Sequence, residues 1–357
     1  MKVAHSLEIE RLSSLEIIHR EPRITIVHHV SPEGTAWATC GRRILKELES
    51  GKFEDYAVFP RRYPRDFFGW PRLAQRAARA DKCNLFVNSL GRVIGIRGHS
   101  VYRVDRNSLT HLGEIQGDCV LHRGICEGTD GWSYFGEYFR NPEHLPVRIW
   151  KVDPQCSTLQ LAYEFPARAI RHVHGVFSDP FDARSIWVTT GDAEGECGIL
   201  QTRDGFRTLE TRGERSSLWR TVALLFTPDH VSWLTDSPHE QNYACRMDRE
   251  TGALEVGQKL DCPAWYATTT REGISIGLTT VESGPGVTRD AATILLSEDA
   301  FVWREFRSIK KDMYRPLSLF KCGVILVPSG TMSNSAVWIS GEGLIGLDGS
   351  SIKLAVR

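Results

Sequence analysis

The feature that most constrains this chain is a run of short apolar strands that recurs roughly every 45–50 residues, with Gly, Pro, Asn and Asp turns between them. Units open at ITIVHHV (from Ile24), CNLFVNS (from Cys83), CVLHRGICEG (from Cys119), IRHVHGVFSDP (from Ile170), WRTVALLFTP (from Trp219), WYATTTREG (from Trp265) and PLSLFKCG (from Pro316). Each later unit repeats one grammar. An opening strand is followed by a second strand that ends in a polar loop, as in WSYFGEYFRN, IWVTTGDAEGE and VSWLTDSPHEQN. A third strand and a tight turn into a fourth complete the unit. Strands this short are unstable alone in water, and stacking four-stranded units around a ring buries them. The expected fold is all-β, a single β-propeller domain over residues 1–357 with about seven four-stranded blades. Ring closure needs SLEIIH near the N-terminus and SIKLAVR at the C-terminus to share a blade. The first interval is longer and holds PRLAQRAARA, whose Ala, Leu and Arg content predicts a short helical insertion over 71–80. Arg43–Glu49 is read as a further turn of helix. A β-sandwich followed by a second β domain is the rival architecture, but no Pro-, Ser- or Gly-rich linker divides the halves.

Charge and cysteine usage exclude several partner classes. Lys plus Arg is 44 and Asp plus Glu is 44, with no long basic run, which argues against nucleic acid or an anionic membrane as partner. No stretch approaches the ~18 apolar residues of a spanning helix. The charged N-terminal segment lacks the apolar core of a signal peptide, so a cytoplasmic location is expected. The nine cysteines are scattered without a C-x-x-C, which predicts reduced, mostly buried thiols and no disulfides. Nothing in the pattern sets an oligomeric state.

In a ring of such units, the loops between second and third strands share one face with the openings of the units. Residues far apart in sequence then converge around the channel. The loops supply Glu137, Tyr138 and Asn141, then Asp192, Glu194 and Glu196, then Asp236, His239, Glu240 and Asn242, and finally Glu282. The openings supply His122 and Arg123, then Arg171, His172 and His174, then Arg220, with Lys310, Lys311 and Asp312 before the last unit. From these, Glu137, Tyr138, His172, His174, Asp192, Arg220, Asp236 and Glu282 are the catalytic candidates. His122, Arg123, Asn242 and Lys311 are the substrate-binding candidates. Carboxylates, imidazoles and arginines in one ring suit acid/base chemistry on a glycan. The same ring could hold a divalent cation, with His172 and His174 as ligands, because an H-x-H pair on a strand presents both rings to one face. Each residue also has a structural reading: His174 as a tie between blades, Arg220 as a partner for Asp192 or Glu137, and Glu137–Tyr138 as a loop anchor.

Two turns, TRDGFRTL (Thr202–Leu209) and SEDAFVW (Ser297–Trp303), resemble degenerate copies of the Asp-box, the S-x-D-x-G-x-x-W turn of sialidase-like propellers. The stretch Arg171–Phe206, with Leu234–Gly252 and Thr279–Ser283, is similar to sialidase/BNR-repeat-like proteins that accompany bacterial exopolysaccharide genes. The resemblance implies a propeller in a glycan context and a structural role for the box. The arginine triad of true sialidases has no counterpart here, which counts against sialic-acid hydrolysis. The expected function is action on an acidic bacterial poly- or oligosaccharide, as hydrolase or lyase. The alternative is a non-catalytic propeller that binds glycan or protein.

Overall fold

The computed structural model describes residues 14–68 and 71–357. The first part of the charged N-terminal segment, 1–13, lies outside the described residues. The described chain is nearly all β. Consecutive strands pair antiparallel into four-stranded groups spanning 26–58, 84–114, 125–165, 173–212, 225–260 and 264–310. A further group takes Gly323–Leu326, Val337–Glu342 and Ser350–Val356 from the C-terminal end and Leu15–Glu21 from the N-terminal end. Leu15 lies opposite Val356, and Glu21 opposite Ser351. This last group also touches both neighbours. Thr280 and Val281 pair with Val324 and Gly323, and Ser329–Gly330 runs parallel to His29–Val30.

Burial follows position within each group. Opening strands such as Asn84–Val87 and Val173–Ser178 are almost wholly buried, because both faces meet other groups. Fourth strands such as Ser108–Glu114 and Arg304–Lys310 carry charged, exposed positions. The groups pack closely. Val173 presses onto Gly136 of the preceding group, where an added Cβ would lie 2.3 Å from a Val173 methyl. Val173, Val176, Ile149 and Val188 share one buried cluster across that junction.

The helix Arg72–Ala78 lies between the first two groups and ends at Arg79, which adopts a left-handed conformation (φ 54°). Its buried Arg76 pairs with Asp312 and donates from Nε to the Phe320 carbonyl at 3.0 Å, tying the insertion to the last group. The helical turn expected at Arg43–Glu49 is not formed. Arg43–Glu47 is a strand between Ala36–Cys40 and Phe53–Val58, and two ladders outweigh a weak helical preference. All nine cysteines are free thiols. Among the described residues, no helix is long and apolar enough to cross a membrane.

Candidate functional site

The packing of Val173 on Gly136 fixes what its neighbours do. His172 and His174 flank Val173 and turn to the opposite side, with a strand irregularity at Val173/Gly175 that lets both rings meet. Their Nε2 atoms lie 3.1 Å apart. Their Nδ1 atoms point away, 3.0 Å from the Phe139 carbonyl for His172 and 2.9 Å from the Thr221 carbonyl for His174. A carbonyl only accepts, so both Nδ1 atoms carry the proton and both Nε2 atoms face the site as acceptors.

Asp192 comes to the same point from the loop after Ile186–Thr190. Gly191 makes that approach possible: at φ 134°, a Cβ there would meet the Cys197 Cα at 2.6 Å. The Asp192 carboxylate lies 3.3 Å from His172 Nε2 and 3.4 Å from His174 Nε2. Arg220, just after the turn Ser217–Trp219, holds Asp192 twice, by Nη1 to its carbonyl at 2.6 Å and by Nη2 to its carboxylate at 3.0 Å. Asp236 follows His230–Leu234. Its amide donates to the Arg220 carbonyl at 2.9 Å, and its carboxyl lies 3.6 Å from Arg220 Nε. Glu282 follows Ser275–Val281 and accepts from Trp265 Nε1 at 2.8 Å. The Tyr138 ring lies 4.4 Å from the His172 ring.

Electrostatics separate the three carboxyls. Burial opposes ionisation of Asp192; once His172 or His174 takes up a second proton, on Nε2, its hydrogen bond and charge outweigh burial and hold this carboxyl well below the ordinary range. Burial, reinforced by the negative charge of Glu282, pushes Asp236 well above it. Burial also raises Glu282. The Tyr138 phenol is raised by burial and by Asp192, so it stays protonated at neutral pH.

Three adjoining cavities run along this face. One of about 610 Å³ is lined by Tyr138, Trp265, Tyr266, Glu282, His122 and Lys82. One of about 340 Å³ shares Tyr138, Lys82 and Arg79 and adds Arg140, Arg171, His172 and Asp192. One of about 550 Å³ continues past Arg171 and Asp192 to Arg220, His239 and Glu240. Each falls within the usual volume range of a ligand pocket, roughly 300–1,000 Å³. In the middle cavity four cations face one carboxylate. Among the described residues, Arg79, Lys82 and Arg140 have no carboxylate within ion-pair distance, so their charge is left for an anionic ligand.

Tyr138, His172, His174, Asp192, Arg220, Asp236 and Glu282 are thus brought together. Glu137 is not. Successive strand residues alternate faces, and its fully buried carboxylate accepts from the Gln116 amide, the Arg148 amide and Trp150 Nε1 at 2.8–3.0 Å. Three donors of the fold hold both oxygens away from the cavities, so Glu137 is an anchor. Asn242 is likewise corrected: its side chain is fully buried and bonds Ser237, Glu240 and Gly286, closing a loop. Lys311 is buried against Asp312 beside Gly343 and has no access to the cavities. Arg123 lines a separate cavity of about 620 Å³ with His29, Phe226 and Thr270, away from His172 and Asp192. His122 lies deep in the 610 Å³ cavity, 5.2 Å from the His28 ring, and burial depresses it to about 3, so it is a neutral wall. Arg79 and Lys82 were not among the sequence candidates. They precede the opening strand Asn84–Val87, the position that elsewhere supplies His122, His172 and Arg220, so the same rule applied to the helical insertion finds them. Arg140 and Trp265 lie in segments the same rule marks, a second-to-third loop and a unit opening, but were not picked out within them.

No protein-family model and no curated protein matches the chain. Solved structures do. An oligogalacturonate lyase in complex with manganese aligns with a TM-score of 0.59 at 7% identity, over 94% of this chain and 90% of that one. An oligogalacturonate lyase from Vibrio parahaemolyticus aligns with a TM-score of 0.59 at 8% identity, again over 94% and 90%. YCF48 bound to D1 peptide aligns with a TM-score of 0.55 at 9% identity, over 96% and 95%. Identities this low make the likeness one of fold, and that fold is nearly all-β and propeller-like.

Proposed function

We propose that the chain forms one closed propeller of seven four-stranded blades, and that its cleft cleaves an acidic oligo- or polysaccharide by β-elimination. The observation that carries the substrate class is the middle cavity, where Arg79, Lys82, Arg140 and Arg171 converge with few carboxylates to neutralise them. A uronate chain supplies the missing anions. The run of three cavities suits a chain of sugars over a single ring. The glycan context implied by the Asp-box resemblance and the two lyases among the fold neighbours agree with this reading.

Elimination is favoured over hydrolysis by the state of the carboxyls. Hydrolysis needs two free carboxyls across the scissile bond. Asp192 is held twice by Arg220, and Asp236 is almost fully buried behind Arg220. Elimination needs a cation on the sugar carboxylate, a base for the adjacent proton and a donor for the departing oxygen. Lys82, with Arg79 and Arg171, binds the carboxylate. Glu282 takes the proton α to it, as a carboxylate whose basicity is raised by burial. The carbon–oxygen bond at the β position breaks as the ring double bond forms, and the Tyr138 phenol gives its proton to the leaving oxygen. Glu282, Tyr138 and Lys82 line one cavity. The test is incubation of purified protein with uronate-containing and neutral polysaccharides, following the ultraviolet absorbance of the unsaturated uronate end. Absorbance that grows only with uronate substrates supports the reading. New reducing ends without that absorbance mean hydrolysis, and binding without product means a lectin-like role; either result overturns it.

A further inference from the structure

We propose that His172, His174 and Asp192 are the ligands of a divalent first-row transition-metal ion. The inference deepens the reading of this cleft but rests on ligand geometry alone, not on the sugar chemistry. Both imidazoles are oriented by Nδ1–H bonds to backbone carbonyls, 3.0 Å to Phe139 and 2.9 Å to Thr221. Such bonds fix the tautomer and aim the other nitrogen at a metal. The two bare Nε2 lone pairs then face each other across 3.1 Å. That contact is unfavourable unless a proton or a cation lies between them.

Three distances decide for a cation. The two Nε2 atoms are 3.1 Å apart, and the carboxylate spans them, with Asp192 Oδ2 3.3 Å from His172 Nε2 and Asp192 Oδ1 3.4 Å from His174 Nε2. Around a metal with bonds of about 2.1 Å, neighbouring ligand atoms lie roughly 3.0 Å apart in octahedral and roughly 3.4 Å apart in tetrahedral geometry. A bridging proton needs only two of these groups in line and gives no reason for the third to join at matched spacing. Two imidazoles and one carboxylate on one face are a donor set for the ions from manganese to zinc, not for magnesium or calcium. The remaining coordination positions open into the 340 Å³ cavity, which His172 and Asp192 both line. A metal there would give a sugar carboxylate or hydroxyl a direct ligand site beside Tyr138.

The protein is stripped with chelator, titrated with MnCl₂ and separately with ZnCl₂ by calorimetry, and its melting temperature is followed in the same samples, with no sugar present. The inference predicts one ion per chain, a raised melting temperature, and binding of at least one of the two ions that is weaker by about 100-fold or more in His174→Ala. Should His174→Ala fail to fold, Asp192→Asn provides the same comparison, since the amide keeps the hydrogen-bonding shape and loses the charge. Absence of binding by the wild-type protein, or equal affinity in a folded ligand variant, overturns the inference. Binding of one ion by a protein that never releases unsaturated uronate leaves the metal site standing and removes the elimination chemistry, so the two failures are distinguishable.

Discussion

Among the described residues, the Tyr138 phenol oxygen makes no hydrogen bond, although the ring is packed against His172. Replacing Tyr138 with Phe therefore removes a proton donor without disturbing the fold. The account predicts a fall in turnover of about 10²–10⁴-fold with a melting temperature close to wild type. A variant of normal turnover takes Tyr138 out of the chemistry. Glu137 is predicted to behave in the opposite way. Glu137→Gln turns an amide NH₂ toward donors that now find an acceptor, costing roughly 1–3 kcal/mol of stability, while activity per folded molecule is unchanged. Chemical denaturation with a parallel activity assay separates the two. Adjacent in sequence, these residues looked equivalent when placed only by blade grammar. A one-residue step on a strand end separates a pocket group from a buried anchor, and no residue type reveals which side is which. His174 shows that its two readings do not exclude each other: one ring nitrogen ties it to the next group through Thr221, and the other faces the site.

At the scale of elements, the turn after the third strand is a device repeated in four of the groups. Asp153, Asp204, Asp248 and Asp299 each accept from backbone amides two or more residues ahead, as in Thr208 to Asp204 at 2.9 Å and Val302 to Asp299 at 2.8 Å. An Asp at such a turn is legible in the sequence because its short carboxylate bonds the amides that follow. The opening strands were legible because burial gives short, mostly apolar runs, as in Asn84–Val87. The strand Arg43–Glu47 was not, since its pattern fits a helical turn equally well and only its two neighbours decide. Contacts between groups were also hidden, because a Gly such as Gly136 announces no partner. Gly136→Ala is predicted to push Val173 back and displace His172 and His174 with it. The expected result is a loss of stability of about 1–3 kcal/mol together with weaker metal binding, measured by denaturation and calorimetry. A variant that loses neither would show that this junction does not hold the site.

For the whole molecule, the interior is lined by histidines that folding keeps neutral. Burial depresses His29 and His122 from 6.5 to about 3, and lowers His28 well below its ordinary value. The unfolded chain binds protons at these positions below pH 6.5, and the folded chain does not until about pH 3. Their contribution to stability is therefore complete above 6.5 and is lost as pH falls, by roughly 2 kcal/mol per histidine between pH 6.5 and 5. Melting temperatures across that interval should decline steeply, and His122→Gln should make the decline shallower; a flat profile contradicts this lining. The balanced total charge concealed the other whole-molecule property, a local concentration of cations on one face. Arg79 and Lys82 come from the insertion before the second group, Arg140 and Arg171 from the third and fourth, so no run in the sequence marks them. That concentration is the basis for assigning an acidic sugar to the cleft, and one comparison tests it most directly. A uronate oligosaccharide and its carboxyl-reduced counterpart are titrated into the same protein by calorimetry at low salt. The account predicts at least tenfold tighter binding of the acidic form, about the 1.4 kcal/mol that one charge-assisted hydrogen bond supplies, with the gap narrowing as salt is added. Equal affinities for the two sugars would contradict it.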